Sequence, residues 1–328
     1  MKFNIARQAF IPAFLTLAAL AATAIYWPEA TTAAAPPANS AGLWLPGEWL
    51  LRLQAAFPEW ARALCCVAII SVGLRTGHLT VRYNLYTANT CIAIPLYGAL
   101  VGGLTAGRVD FFMFVCAALL IFSIRNFCRS FSNNYAFDAL FRASLYLGLL
   151  VILEPRTAPL LLLLPLAVIH FHRTVREWII ALVGLLLPAA LLCYVNWGAG
   201  HPFLAPLLCL SDGVLQGEWL QLFYRMPFAT QVFAGGSALT LLFSIQLFFS
   251  DLYAASSKSR TILVFHMEAL LLVALTACMP GISTGVFALI AIPLAVLLPL
   301  FFVRSHPAVA QTVYAVFLAG ALCNIVMQ

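Results

Sequence analysis

Apolar residues run through this chain in long stretches, separated by short clusters of charge, glycine and proline. A helix crossing a bilayer needs about 20 mostly apolar residues, with a range of about 17–25, and irregular backbone must fall between such stretches because unpaired polar groups are not tolerated in lipid. Marking charges and Gly/Pro clusters predicts eleven spanning helices, at about 10–26, 60–74, 85–104, 111–124, 139–153, 158–171, 178–197, 228–249, 262–279, 284–303 and 308–327. The fourth, fifth and sixth are short. Between the fifth and sixth the only interruption is Glu154-Pro155-Arg156-Thr157, the kind of tight polar corner that joins a helical hairpin. Pro95, Pro165, Pro188, Pro293 and Pro299 each remove a helical hydrogen bond and give their helices places to bend. Gly98-x-x-x-Gly102 in the third span has the spacing that lets a neighbouring helix come close.

Two longer segments lie between spans, 27–59 and 198–227. The first opens on a small-residue, proline-containing linker at 31–42. Pro46 then starts a helix reaching Phe57, in which Trp49, Leu50, Leu53 and Phe57 recur at helical spacing while Glu48, Arg52 and Glu59 fall towards the other side. An interfacial helix is expected, with the four apolar residues buried against the bilayer. The second segment holds an apolar stretch at 203–210, too short to cross and expected to dip into the interface, followed by Asp212, Glu218, Trp219 and Arg225. Six of the seven tryptophans lie at or near these segments, where an indole buries its body and keeps its N–H wet. They form either an aromatic belt or the walls of a site.

Composition agrees with the run pattern. The chain has 328 residues, 63% hydrophobic and 9% charged, against roughly 25% charged in an ordinary soluble protein. That excludes a water-soluble globule and implies an all-α polytopic membrane protein, a single transmembrane domain over 1–328. The net charge of +6 forms no stripe, which argues against a nucleic-acid partner. With the N-terminus inside, twelve Lys and Arg fall in cytoplasmic segments and five outside, as the positive-inside rule asks. The expected arrangement is therefore N-in and C-out, with 27–59 and 198–227 on the outer face of a bacterial inner membrane. Lys2, Arg7 and the small residues near Ala35 also fit a secretory signal, but the apolar run exceeds the usual length and is read as a retained helix.

No nucleotide-binding, zinc-protease or hydrolase motif occurs, and nine scattered cysteines form no C-x-x-C pair, so neither a metal nor a cofactor is expected. His170 and His172 form an H-x-H at the inner end of the sixth helix, read as interfacial. The cytoplasmic loops at 125–134 and 256–260 are read as positive-inside anchors with room for anionic lipid headgroups. Glu268 is the acidic residue within a span; it costs about 2.5–3.5 kcal/mol at mid-bilayer and should face protein or a water-filled cavity. His266 is about 200° around that helix and is not its natural partner. On the outer side the Glu154-Pro155-Arg156 corner places a carboxylate and a guanidinium where phosphate would arrive.

The stretch 140–192 (LFRASLYLGLLVILEPRTAPLLLLLPLAVIHFHRTVREWIIALVGLLLPAALL) resembles an uncharacterised family of multipass inner-membrane proteins from Bacteroidetes, which carries no assigned activity. More broadly, the interfacial first outer loop and the charged proline corner are similar to polyprenyl-phosphate-sugar glycosyltransferases of the GT-C type. The acidic signature expected after the first helix is represented there by Glu29 alone. The resemblance implies Glu48 and Glu154 as catalytic carboxylates. Arg156, Asp212 and Arg225 would hold a polyprenyl-phosphate-linked substrate, with membrane lipids as further partners. Two other functions stay open: a transporter or lipid flippase using the bent helices and Glu268, and a non-catalytic subunit whose outer aromatics meet membrane-protein partners. Reporter fusions test the topology: one at Arg129 should score cytoplasmic and one at Trp44 external, and the same side for both would break the arrangement.

Overall fold

The computed structural model describes residues 8–26, 43–105, 110–131, 135–214, 217–224, 226–250 and 256–327, whose regular structure is helical, with no strand among them. The helices are α1 (Phe10–Tyr26), α2 (Pro46–Ala56), α3 (Pro58–Arg82), α4 (Ala93–Thr105), α5 (Phe111–Ser130), α6 (Phe137–Leu153), α7 (Leu163–His170), α8 (Val175–Gly198), α9 (Ala205–Val214) and α10 (Gln221–Tyr224). They continue as α11 (Phe228–Ser250), α12 (Ser257–Ala277), α13 (Phe287–Leu297), α14 (Pro299–Arg304) and α15 (Pro307–Val326), with 3₁₀ turns at Pro155–Leu162 and Thr284–Val286. Seven stretches are long and apolar enough to cross a membrane: α3, α5, α8, α11, α12, Thr284–Arg304 and α15. The protein is thus a multipass helical membrane protein. Apolar but shorter are α1, α4, Pro155–His170 and α9, and α6 is 17 residues long.

Hydrogen bonds between helix ends sort the passes into two layers. At one end Cys91 N–H donates to the Gln8 carbonyl (3.2 Å), Ser259 Oγ to the Asn84 carbonyl (3.1 Å), Ala136 N–H to Glu177 (2.9 Å) and Arg304 to the Leu247 carbonyl (2.8 Å). At the other, Phe111 N–H donates to Gln54 (3.1 Å), Trp44 N–H to Asn196 (2.8 Å), and Asn324 joins Thr230 (3.0 Å) and the Gly103 carbonyl. Successive passes therefore run alternately between the layers. The first layer carries Arg82, Arg129, Arg142, Arg173, Arg176, Lys258, Arg260 and Arg304 with Asp138 and Glu177; the second carries Glu48, Glu59, Asp110, Glu154, Asp212 and Glu218 with Arg52, Arg62 and Arg156. They are the basic and acidic ends below.

Several predicted boundaries move, each for a local reason. The third span was expected from residue 85, but the helix begins at Ala93. Before it, α3 overruns its predicted end and stops at Arg82, where Asn84 takes φ +47° and the Asn84 and Leu85 N–H groups bond the Val81 and Thr80 carbonyls. This is a Schellman ending with asparagine in the left-handed position. His172 (φ +50°) and Gly200 (φ +91°) close α7 and α8 in the same way. The sixth span opens as a 3₁₀ turn because Pro155 and Pro159 supply no N–H for the α-helical ladder. In the tenth, the chain turns through Thr284–Val286 and breaks again at Leu298-Pro299.

The core is organised around α4 and α13. Every one of the 13 residues of α4 is buried, and all of α13 except Ile290. α1, α3, α13 and α15 pack directly on α4. Gly98 and Gly102 make this possible: an added Cβ would sit 2.9 Å from Leu17 of α1 at Gly98 and 2.9 Å from Ile325 of α15 at Gly102. The small-residue pair thus serves two partner helices, one glycine each.

All nine cysteines are free, and Cys65, Cys116, Cys128 and Cys193 are buried as packing residues. A buried capping box at the basic end anchors α8: Thr174 N–H donates to Glu177 (2.9 Å) and Glu177 N–H to the Thr174 hydroxyl (3.5 Å). Glu177 also pairs with Arg173 at 3.4 Å, both side chains almost fully covered. Filling Gly102 with leucine should cost about 1–3 kcal/mol of stability by overpacking, read as a lower unfolding temperature in detergent. Gly236→Leu, where a Cβ meets nothing within 4 Å, should leave it unchanged.

Candidate functional site

The acidic end is built on α2. Pro46 occupies its first turn, where its missing N–H costs nothing, and Glu48 sits in the same turn, where the helix dipole favours a carboxylate. Gly47 faces α6 so closely that a Cβ would lie 2.7 Å from the Leu153 carbonyl oxygen. Buried Gln54 accepts from Phe111 N–H, one of the donors left over at the start of α5, and so fastens α2 across that helix end. The helix expected over 46–57 is present and ends one residue early, at Ala56. Its predicted apolar face is divided, which corrects the expectation: Leu50 packs on the protein core, whereas Trp49 (59% exposed) and Phe57 (58%) point away from it. The inward stripe also recruits Gly47 and Gln54, which a hydrophobic face does not count.

Leading into α2, residue 44 is held from α8. Trp44 N–H donates to Asn196 Oδ1 (2.8 Å), while Asn196 Nδ2 donates to the Trp44 carbonyl (3.2 Å) and to Leu192 (2.9 Å). One buried amide thereby satisfies both backbone groups of a residue that belongs to no helix. Between α2, α6 and α8 this leaves a groove of about 700 Å³. Leu149 and Ile152 of α6 and Pro188, Leu192 and Val195 of α8 form its apolar walls, with Trp44 and Trp49 at its edge. Among the described residues its charged lining is Glu48 and Arg52. These two pair at 3.6 Å, with the Glu48 side chain 13% exposed and that of Arg52 69%, so the acid sits inward and the cation at the rim.

The remaining sequence-predicted residues take different places. Glu154 caps the 3₁₀ turn, accepting from Arg156 N–H (3.4 Å) with the Arg156 guanidinium 3.7 Å away. Burial pushes its carboxyl above the usual range; Arg156 pulls it back and Asp110 pushes it further. Arg156 Nε is buried with no hydrogen-bond partner among the described residues. Neither Glu154 nor Arg156 lines the groove. They lie next to Leu153, whose carbonyl meets α2 from behind. Asp212 is exposed on α9. It and Glu48 both act on the Cys209 thiol, adding to the burial that raises it, so α9 brings its polar residues towards α2. Arg225 lies outside the described residues.

Glu268 finds its partner on another helix: Oε1 lies 2.6 Å from His170 Nε2 of α7, while His266 turns to its own backbone through Nδ1 and the Ile262 carbonyl (2.8 Å). The H-x-H at the end of α7 is therefore divided, His170 to an intramembrane carboxylate and His172 to the helix ending. Among the described residues no group of three or more His, Cys, Asp or Glu could hold a metal ion.

The Trp44 clamp is testable. Asn196→Ala should leave two backbone groups unpaired and loosen residues 43–46 by about 1–2 kcal/mol, seen as roughly tenfold faster amide exchange at Trp44 with α8 otherwise protected. Compared with known proteins, the chain matches no family model, no curated protein and no solved structure.

Proposed function

We propose that this protein binds an amphipathic lipid with a phosphate-bearing head in the groove between α2, α6 and α8, as the membrane-embedded half of a lipid-linked transfer site. The observation that carries the reading is the composition of that groove: apolar walls, tryptophans at the edge, and one carboxylate–guanidinium pair confined to α2. An apolar chain gains from such walls at about 25 cal/mol per Å² buried, and the two charges fix where its head lies. Arg52 at the rim is the cation for the phosphate. Glu48 is the carboxylate in reach of an acceptor hydroxyl, suited to general-base work. The Glu154–Arg156 corner follows the Leu153 carbonyl that meets α2 from behind, and it takes no part in the groove.

The same reading takes the basic end as cytoplasmic, all eleven passes as spanning, and the groove as facing the outer leaflet of a bacterial inner membrane. Its support is the charge partition between the ends together with five exposed tryptophans, Trp44, Trp49, Trp60, Trp197 and Trp219, in the acidic-end layer. That distribution is what an interface belt around a lipid-facing site would have.

Photolabelling in lipid nanodiscs tests the proposal. A long-chain isoprenoid phosphate carrying a photoreactive tail should label peptides of α2 and α8. Leu192→Trp, which fills the groove, should cut that labelling severalfold. Arg52→Gln should weaken capture of the phosphate roughly three- to tenfold and leave the neutral alcohol unaffected, the modest size reflecting a half-solvated cation. Labelling spread evenly over α11 and α15 and indifferent to Leu192→Trp would overturn it.

A further inference from the structure

A second cavity, of about 380 Å³, opens at the basic end, and the Glu48 groove plays no part in it. Three cations line it from three different helices: Arg82 at the end of α3, Lys258 in the first turn of α12 and Arg304 at the end of α14. No carboxylate lines it among the described residues; Asp251 lies outside them. Elsewhere at this end Asp138 pairs with Arg142 at 2.7 Å and Glu177 with Arg173. Arg304 is held by its bond to the Leu247 carbonyl (2.8 Å). Lys258 Nζ lies over the Tyr83 ring at 5.1 Å and the Phe131 ring at 5.8 Å, a seat that orients an ammonium without neutralising it.

The cavity wall is rigidly made. Its turn is the Schellman ending of α3, with Asn84 at φ +47°. The Ser259 hydroxyl bonds the Asn84 and Tyr83 carbonyls (3.1 and 3.4 Å), and the Tyr86 hydroxyl bonds the Val296 carbonyl (2.6 Å), so the turn is tied to both α12 and α13. Behind the cations the floor is apolar, with Phe248, Leu263 and Leu300. Cationic donors from three helices that converge on one preformed mouth offer a phosphate charge-assisted hydrogen bonds from several sides.

We infer that this cavity is a binding site for a phosphate monoester, held between Arg82, Lys258 and Arg304. Two sources share that chemistry, a phospholipid headgroup with its glycerol against the apolar floor, and a soluble phosphate ester. The site stands apart from the lipid groove and does not depend on it.

Lysine footprinting of the unmodified protein gives a direct test, because the chain contains only two lysines, Lys2 and Lys258. In detergent, short-chain phosphatidic acid should slow acylation of Lys258 by an amine-reactive ester at least fivefold, with Lys2 unchanged and short-chain phosphatidylcholine giving much weaker protection. Glycerol 3-phosphate is the second arm. Protection by it at comparable concentration identifies a soluble ester, and its failure beside effective phosphatidic acid identifies a lipid headgroup. Arg82→Gln should reduce the protection about tenfold, and Arg142→Gln, a cation of the same end already paired with Asp138, should not. Equal reactivity of Lys258 with and without both phosphates, or equal protection by phosphatidylcholine, would overturn the inference.

Discussion

Hydrocarbon offers no hydrogen bonds, and the design of this bundle follows from where its chain must supply them itself. Within helices the ladder takes care of the backbone. At helix ends four N–H and four C=O groups are left over, and between passes whole residues are. The structure closes these places with a small set of devices: Schellman endings at Asn84, His172 and Gly200, the Thr174–Glu177 capping box, and the amides of Gln54, Asn196 and Asn324. Both candidate sites lie beside such closures. The groove exists because Asn196 and Gln54 hold the backbone around it, and the basic cavity is walled by the turn that Asn84 ends.

The all-helical, multipass character and the rough position of the long helices were legible because apolar run length is a strong signal in a membrane protein. The Leu298-Pro299 break in the tenth pass was legible as a proline position, though only as a place to bend, whereas the 3₁₀ start of the sixth, set by Pro155 and Pro159, read only as a tight polar corner. Burial was not. α4 and α8 are both apolar by composition, yet α4 is covered on every side and α8 exposes Ile179, Val183, Leu186 and Leu191. Lipid tails are as apolar as a protein interior, so hydropathy cannot separate a central helix from a peripheral one. The glycine spacing of α4 was the better clue.

For the chemistry, proximity along the chain misled and pattern helped. Glu48 and Arg52 are neighbours on one helix, and their shared place followed from spacing. The pairing of Glu268 with His170 spans 98 positions and two helices, beyond any local pattern. Glu154-Pro155-Arg156 reads as an exposed charged corner, yet its carboxylate is turned inward to cap the turn it begins. The Thr174-Val175-Arg176-Glu177 spelling did carry a signal, since a threonine followed three residues on by glutamate before an apolar run is how a capping box is written.

The central helix also sets an order in time. At about 1.5 Å per residue, the 13 residues of α4 span roughly 20 Å, short of a hydrocarbon layer of about 30 Å. Alone in a membrane it would leave its polar ends in lipid. Its cover comes from α1 at Gly98 and from α15 at Gly102, and α15 is joined to α4 across 221 positions of sequence. While the ribosome is still making the middle helices, one flank of α4 therefore waits uncovered, and the bundle becomes whole only after α15 has emerged. Loss of that one peripheral helix would be felt at the centre of the molecule.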